Sequence, residues 1–75
     1  MKSIYIVVQI YGKDMSISEN IAAYSLLEDA QHFAKRRDGV TQWKEHNAHG
    51  PSWESLDGHS KYTIDKLELD YPILT

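Results

Sequence analysis

The sequence predicts a single small α+β domain in which a three-stranded antiparallel sheet carries one main helix on one face. Two observations support this: apolar, β-branched runs lie near both ends of the chain, and an amphipathic helical segment lies between them. With 75 residues and no linker-like or low-complexity stretch, the chain has room for one domain, residues 1–75. It contains no cysteine, so neither disulfides nor thiolate zinc sites contribute to its stability.

Residues 3–11 predict the first strand, because nearly every position is β-branched or aromatic. One face would carry Ile4, Ile6, Val8 and Ile10, and the other Tyr5, Val7, Gln9 and Tyr11. Both faces are largely apolar, so we expect this strand in the middle of the sheet. The run is too short to span a bilayer and lacks a signal-peptide cleavage site, so we expect a cytoplasmic protein.

Residues 12–20 predict a polar loop, and residues 21–25 predict the second strand. Within the loop, Met15 and Ile17 either pack back, extend the strands or lie exposed. Ser25 and Glu28 have the spacing of a capping box, which predicts a helix from Leu26 to about Arg37. Acidic residues at its start and basic residues at its end suit the helix dipole.

The segment that follows the helix allows three interpretations. Gly39 is a typical C-cap, but Val40 and Trp43 continue the apolar stripe of the helix. The helix therefore ends at Gly39, continues to about His46, or gives way to a short second helix. Residues 48–60 predict a loop rich in Gly, Pro, Ser and His, in which Trp53 is either a lid on the core or an exposed anchor for a partner.

Residues 61–71 predict the third strand, which Pro72 ends. Its apolar positions change phase midway, which indicates either a β-bulge near residues 65–66 or partial cover on both faces. The resulting ββαβ order, with a right-handed crossover, predicts the sheet order 2-1-3, with the first strand antiparallel to both others.

One helix covers only one face of such a sheet. The other face would expose Tyr5, Val7 and Tyr11, or else the Ile4 series, and a contiguous apolar patch of this kind usually marks an interface. The alternative is that residues 45–60 fold over it. We therefore predict a non-enzymatic protein-binding module, with a homodimer as one way to cover the patch. Its candidate binding residues are Tyr5, Val7, Tyr11, Trp53, Glu54 and Asp57.

Nucleic-acid binding is the first alternative function. Its candidate residues are Lys35, Arg36, Arg37, Trp43 and Lys44. The formal net charge of −3 weighs against it, because affinity for nucleic acid depends on phosphate neutralisation. Binding of a small ligand or a metal is the second alternative, through the four histidines His32, His46, His49 and His59.

We predict no resident metal, no cofactor and no catalytic site. His46 and His49 have helical spacing, but Gly50-Pro51 makes a helix there doubtful. The chain contains no G-x-S-x-G, P-loop or G-x-G-x-x-G motif. A three-stranded sheet with one helix also leaves little room for a cleft that would shift the pKa values of carboxylates apart.

Three segments, residues 4–8, 22–30 and 62–70, resemble a group of short uncharacterised phage and bacterial ββαβ proteins. In that group a strand leads into a serine-capped helix, and a strand with the pattern I-x-x-x-x-L-D closes the domain. The resemblance implies the fold, and no functional residues carry over. Small phage accessory proteins often bind and block a host protein, so the resemblance also implies an inhibitor of a host factor, such as a defence protein, in the host cytoplasm.

Overall fold

A computed structural model of the protein describes residues 2–48 and 50–69. Its elements, in chain order, are β1 (Lys2–Tyr11), β2 (Ile17–Tyr24), α1 (Leu27–Asp38), β3 (Trp43–His46), β4 (Ser52–Ser55) and β5 (Lys61–Leu69). The five strands form one antiparallel sheet in the order β2-β1-β5-β4-β3. The α+β class is therefore confirmed, whereas the three-stranded ββαβ sheet is wrong.

The two additional strands lie in residues 43–46 and 52–55, which the sequence assigns to a helix extension or a loop. They form the hairpin of β3 and β4, and β4 pairs with β5 in the register Trp53↔Ile64. Each strand has only four residues, most of them polar, so neither shows the apolar alternation of a longer strand. These strands depend on pairing with β5, which is a non-local interaction.

Strand β1 lies in the interior of the sheet, with Val7 opposite Ala22 on β2 and Ile64 on β5. Its register with β5 runs without a break from Lys2↔Leu69 to Ile10↔Lys61. The bulge predicted near residues 65–66 is therefore wrong. The irregularity lies on β2, where Ile21 is an extra residue between the partners of Val7 and Val8. Asp70 and Tyr71 of the predicted strand, and Pro72 that would end it, lie outside the described residues.

Helix α1 starts one residue later than the capping box predicts. Leu26 is the N-cap, with an extended backbone (φ −126°, ψ 136°) and no side-chain hydrogen bond. Ser25 precedes this N-cap in a bend between β2 and α1, so it is not the cap that the sequence predicts. At the other end, Gly39 has φ +76° and donates its N–H to the carbonyl of Lys35 at 2.8 Å, which confirms the C-cap. Within the described part of the chain, no helix is long and apolar enough to cross a membrane.

The core lies between α1 and one face of the sheet. Its fully buried side chains are Val7, Ala30, Ala34, Val40, Tyr62 and Ile64. The two alanines face the sheet and allow the helix backbone to approach it closely. Phe33 of the helix packs on Tyr24, with ring centroids 5.9 Å apart. Val40 and Trp43 do contribute to the core, as their spacing indicates, but from a loop and a strand.

Candidate protein-interaction surface

The two faces of the sheet differ in what covers them. Successive side chains of a strand point to opposite faces, so the burial of Val7 and Ile64 beneath α1 assigns the odd positions of β1 to the helix side. The side of the sheet away from α1 is called the open face here. It carries Ile4, Ile6, Val8 and Ile10 of β1, and opposite them Leu67, Asp65, Thr63 and Lys61 of β5. Helix α1 is the one described element that packs on the sheet, and it lies on the other side, as does the buried loop residue Val40.

An aliphatic stripe runs along β1 on the open face. Ile4, Ile6, Val8 and Ile10 are each half-buried by their neighbours within the sheet, yet none belongs to the core or packs against it. Leu67, which lies opposite Ile4, leaves 47% of its surface exposed. An antiparallel sheet with one solvated face normally alternates apolar and polar residues, so this stripe departs from the usual composition of such a face.

Charged and polar side chains border the stripe on the β3–β4 side. Nε2 of His46 lies 2.8 Å from Oε1 of Glu54, and the Lys61 ammonium donates to the other oxygen of the same carboxylate. The Lys61 hydrogen bond, and then that of His46, hold the pKa of Glu54 below its ordinary value. The group spans three neighbouring strands, so no sequence motif reveals it, and Lys61 is absent from the sequence-derived candidates.

The Tyr5 series lies on the helix side of the sheet. Val7 has no exposed surface, so it has no side-chain surface to offer a partner. Tyr5 packs on Trp53 with ring centroids 5.8 Å apart. Tyr11 donates its hydroxyl to Glu19, and this hydrogen bond raises the pKa of the tyrosine. Of the two apolar sets on β1, the Ile4 series is therefore the one on which no described element packs.

Residues 45–60 do not fold over the open face. They widen the sheet instead, and Trp53 pairs with Ile64 and packs against the core on the helix side. Trp53 thus acts as a lid on the core, one of its two predicted roles. Glu54, the next residue along β4, points to the open face with Lys61.

Asp57 holds two loops together. Its Oδ1 accepts the backbone N–H of Thr41 at 2.8 Å and that of Gln42 at 3.3 Å, and its Oδ2 accepts the Thr41 hydroxyl. These hydrogen bonds, that of the Thr41 hydroxyl first, lower the pKa of Asp57. Nearby, the backbone N–H of Leu56 donates to the carbonyl of Gln42 at 2.9 Å. Asp57 thus ties the β4–β5 loop to the segment between α1 and β3.

The candidate nucleic-acid residues do not share one surface. Lys35 and Trp43 line an open cleft between the helix and β3. Arg36 and Arg37 lie beside Phe33, with the Arg37 guanidinium 6.0 Å from the ring centroid. Lys44 pairs across the strands with Glu54, which places it on the open-face side. This arrangement does not form a continuous basic track that could follow a nucleic-acid backbone.

The histidines are also dispersed. His46 is bound to Glu54, His32 and His59 lie exposed at separate places, and His49 lies outside the described residues. His46 is in a strand, so its i, i+3 spacing from His49 is not that of a helix. In the ranges that the structure describes, no group of three or more histidine, aspartate or glutamate side chains is placed to hold a metal ion.

Comparisons of the chain with protein-family models, with curated proteins and with solved structures gave no match. The residues of the open face are therefore the basis for inferring a function.

Proposed function

We propose that the protein is a non-enzymatic protein-binding module that docks its partner on the open face. The observation that carries the proposal is the aliphatic stripe of Ile4, Ile6, Val8 and Ile10, together with Leu67, on which no described element packs. Burial of apolar surface provides about 25 cal/mol per Å², so covering this stripe favours association. Contiguous apolar patches on small soluble domains commonly mark binding sites.

The layout of the open face defines the chemistry of the partner. An apolar centre contributes affinity through exclusion of water, and a polar rim contributes orientation and specificity. Here the rim is formed by Glu54 with His46 and Lys61 on one side, and by the polar residues Ser18 and Asn20 of β2 on the other. The matching partner has an aliphatic patch flanked by charges of both signs.

The resemblance to phage accessory proteins adds a source for such a partner, namely a host protein, which includes components of host defence. This part of the proposal rests on the resemblance and not on a residue of the open face. It determines which lysates are tested first.

Site-specific photo-crosslinking tests the proposal. A photoreactive phenylalanine analogue at Leu67 is placed on the open face, and the same analogue at Leu56 is the matched control. Leu56 has a similar exposed fraction, 57% against 47%, but lies in the β4–β5 loop. We expect a discrete, saturable protein adduct from position 67 that unlabelled protein competes away, and none from position 56.

Adducts of equal yield and identity from both positions would show non-specific contact and contradict the proposal. The absence of any adduct from position 67, both with the purified protein and in lysate, would also contradict the proposal. Basic surface variants such as Arg36→Ala are expected to leave the adduct from position 67 unchanged.

A further inference from the structure

We infer that the occupant of the open face is a second copy of this chain, bound face to face about a twofold axis. The inference rests on the proposed function, because it takes the open face as the docking surface and names the partner. Each copy would keep its helix on the outside, so that the dimer has four layers with two sheets packed in the middle. Sheets stacked in this way lie about 10 Å apart with interdigitating side chains.

The distribution of aliphatic residues favours a second copy. The core of one chain contains six fully buried side chains among the described residues, and two of these are alanines. The chain has no cysteine to form a disulfide that would compensate for a small core. Four β-branched aliphatic residues of the interior strand β1 lie outside this core, on the open face. Face-to-face packing would place all four in a second core shared by both copies.

The open face is just large enough for a specific interface between two copies. With about 3.3 Å per residue and about 4.8 Å between strands, the strand lengths correspond to about 550 Å² on one side of the sheet. Two copies would bury about 1,100 Å² in total, which exceeds the roughly 1,000 Å² that a specific interface needs.

The strand register also permits a self-complementary arrangement. The twofold axis would lie midway between the two sheets, perpendicular to the strands, and would pass over Val7 of β1. It would place Ile6 over Val8 of the second copy, and Ile4 over Ile10 of that copy. Val7 pairs with Ile64, so the same axis crosses β5 near Ile64. Thr63 then lies against Asp65 of the second copy.

Charges on the open face fit the same arrangement. Lys61 lies over Leu67 of the second copy, and Asp65 of that copy is two positions along the same strand, within reach of a lysine side chain. Asp65 is exposed and has no ion-pair partner among the described residues. Among the side chains that the structure describes, the open face carries two lysines, Lys44 and Lys61, and two carboxylates, Glu54 and Asp65, so these four charges balance when a second copy binds.

Sedimentation equilibrium of the purified full chain is the first test. One chain has a mass of 8.7 kDa, and at micromolar concentration we expect a particle of twice that mass. Leu67→Lys would place an ammonium over Lys61 of the second copy, and should weaken the dimer by more than about 100-fold. Leu56→Lys makes the same chemical change outside the open face and should leave the dimer unchanged. Equal effects of the two substitutions would overturn the inference.

A charge exchange between copies is the second test. Asp65→Lys alone and Lys61→Asp alone each place like charges across the interface, so each variant should be monomeric at concentrations where the wild type is dimeric. Mixed together, the two variants place Lys opposite Asp at both symmetry-related sites and should form a heterodimer. Far-UV circular dichroism checks that each variant is folded, and failure of the mixture to associate would overturn this face-to-face arrangement.

The two proposals fail in different ways. A monomeric wild type whose position 67 crosslinks to another protein in lysate overturns the dimer and supports the docking surface. A monomer with no adduct from position 67 overturns both. A wild-type monomer that becomes dimeric when residues 70–75 are deleted would also overturn the inference, because the end of its own chain would then occupy the open face.

Discussion

At the scale of single residues, the β4–β5 loop depends on Gly58. Its backbone has φ +100°, and a Cβ atom at this position would lie 2.8 Å from Cγ2 of the buried Val40. Gly58→Ala therefore combines a strained backbone with a clash against the core. We expect it to lower the free energy of unfolding by about 2–4 kcal/mol, measured by urea denaturation.

Gly50 provides the matched control for this clash. Its φ of +97° is nearly the same, but a Cβ atom there would meet nothing within 4 Å. Gly50→Ala should therefore cost only the backbone strain, about 1–2 kcal/mol. Equal losses for the two substitutions would show that contact with Val40 contributes nothing.

Asp57 gives a second prediction at this scale, in the pH dependence of stability. Its pKa is lower in the folded protein than the ordinary value of about 3.9, so folding favours the ionised carboxylate. Its contribution is fully present above the ordinary pKa and is lost as the pH falls towards the folded-state pKa. Asp57→Asn removes this titration.

Urea midpoints measured from pH 7 to pH 2.5 test this prediction. The gap between the wild type and Asp57→Asn should be constant above about pH 5 and should shrink below about pH 4. A gap that stays constant down to pH 2.5 would show that Asp57 is not held by Thr41 and Gln42 in the way that the structure describes.

At the scale of the elements, the start of α1 is open to improvement. Leu26 occupies the N-cap with no side-chain hydrogen bond, and 52% of its surface is exposed. Leu26→Ser supplies a hydroxyl for the free backbone N–H groups and should stabilise the protein by about 1 kcal/mol. Ser25→Ala should change the stability by less than about 0.5 kcal/mol, because Ser25 is not the N-cap. Thermal denaturation of both variants checks this. A loss of stability in Ser25→Ala with no gain in Leu26→Ser would show that Ser25 is the N-cap, as the capping box predicts.

The elements that the sequence predicts well are those whose own residues decide them. Strand β1 is β-branched along its length, and α1 combines an apolar stripe with Gly39 at its end, so local preference and burial agree. Strands β3 and β4 have four residues each, and Lys44, Glu45 and Glu54 are poor strand formers. Pairing with β5 overrides that preference, and one-dimensional periodicity does not contain this information.

The open face was predictable only as one of two alternatives. Alternation along β1 defines two apolar sets, but the choice between them depends on which set meets Ala30 and Ala34 of the helix. The group of His46, Glu54 and Lys61 was not predictable, because the register of three strands brings its members together. Residue type indicated a patch, and tertiary pairing determines its location.

At the scale of the whole molecule, stability and association are expected to be linked. A dimer that unfolds to two chains gains about 1.4 kcal/mol of apparent stability for each tenfold rise in protein concentration. The urea midpoint of the wild type should therefore rise steadily between about 1 and 100 μM chain. Leu67→Lys should have a midpoint that is lower at every concentration and independent of concentration, whereas Leu56→Lys should follow the wild type. A wild-type midpoint that does not change over this range would mean that the folded chain is complete without a second copy on its open face.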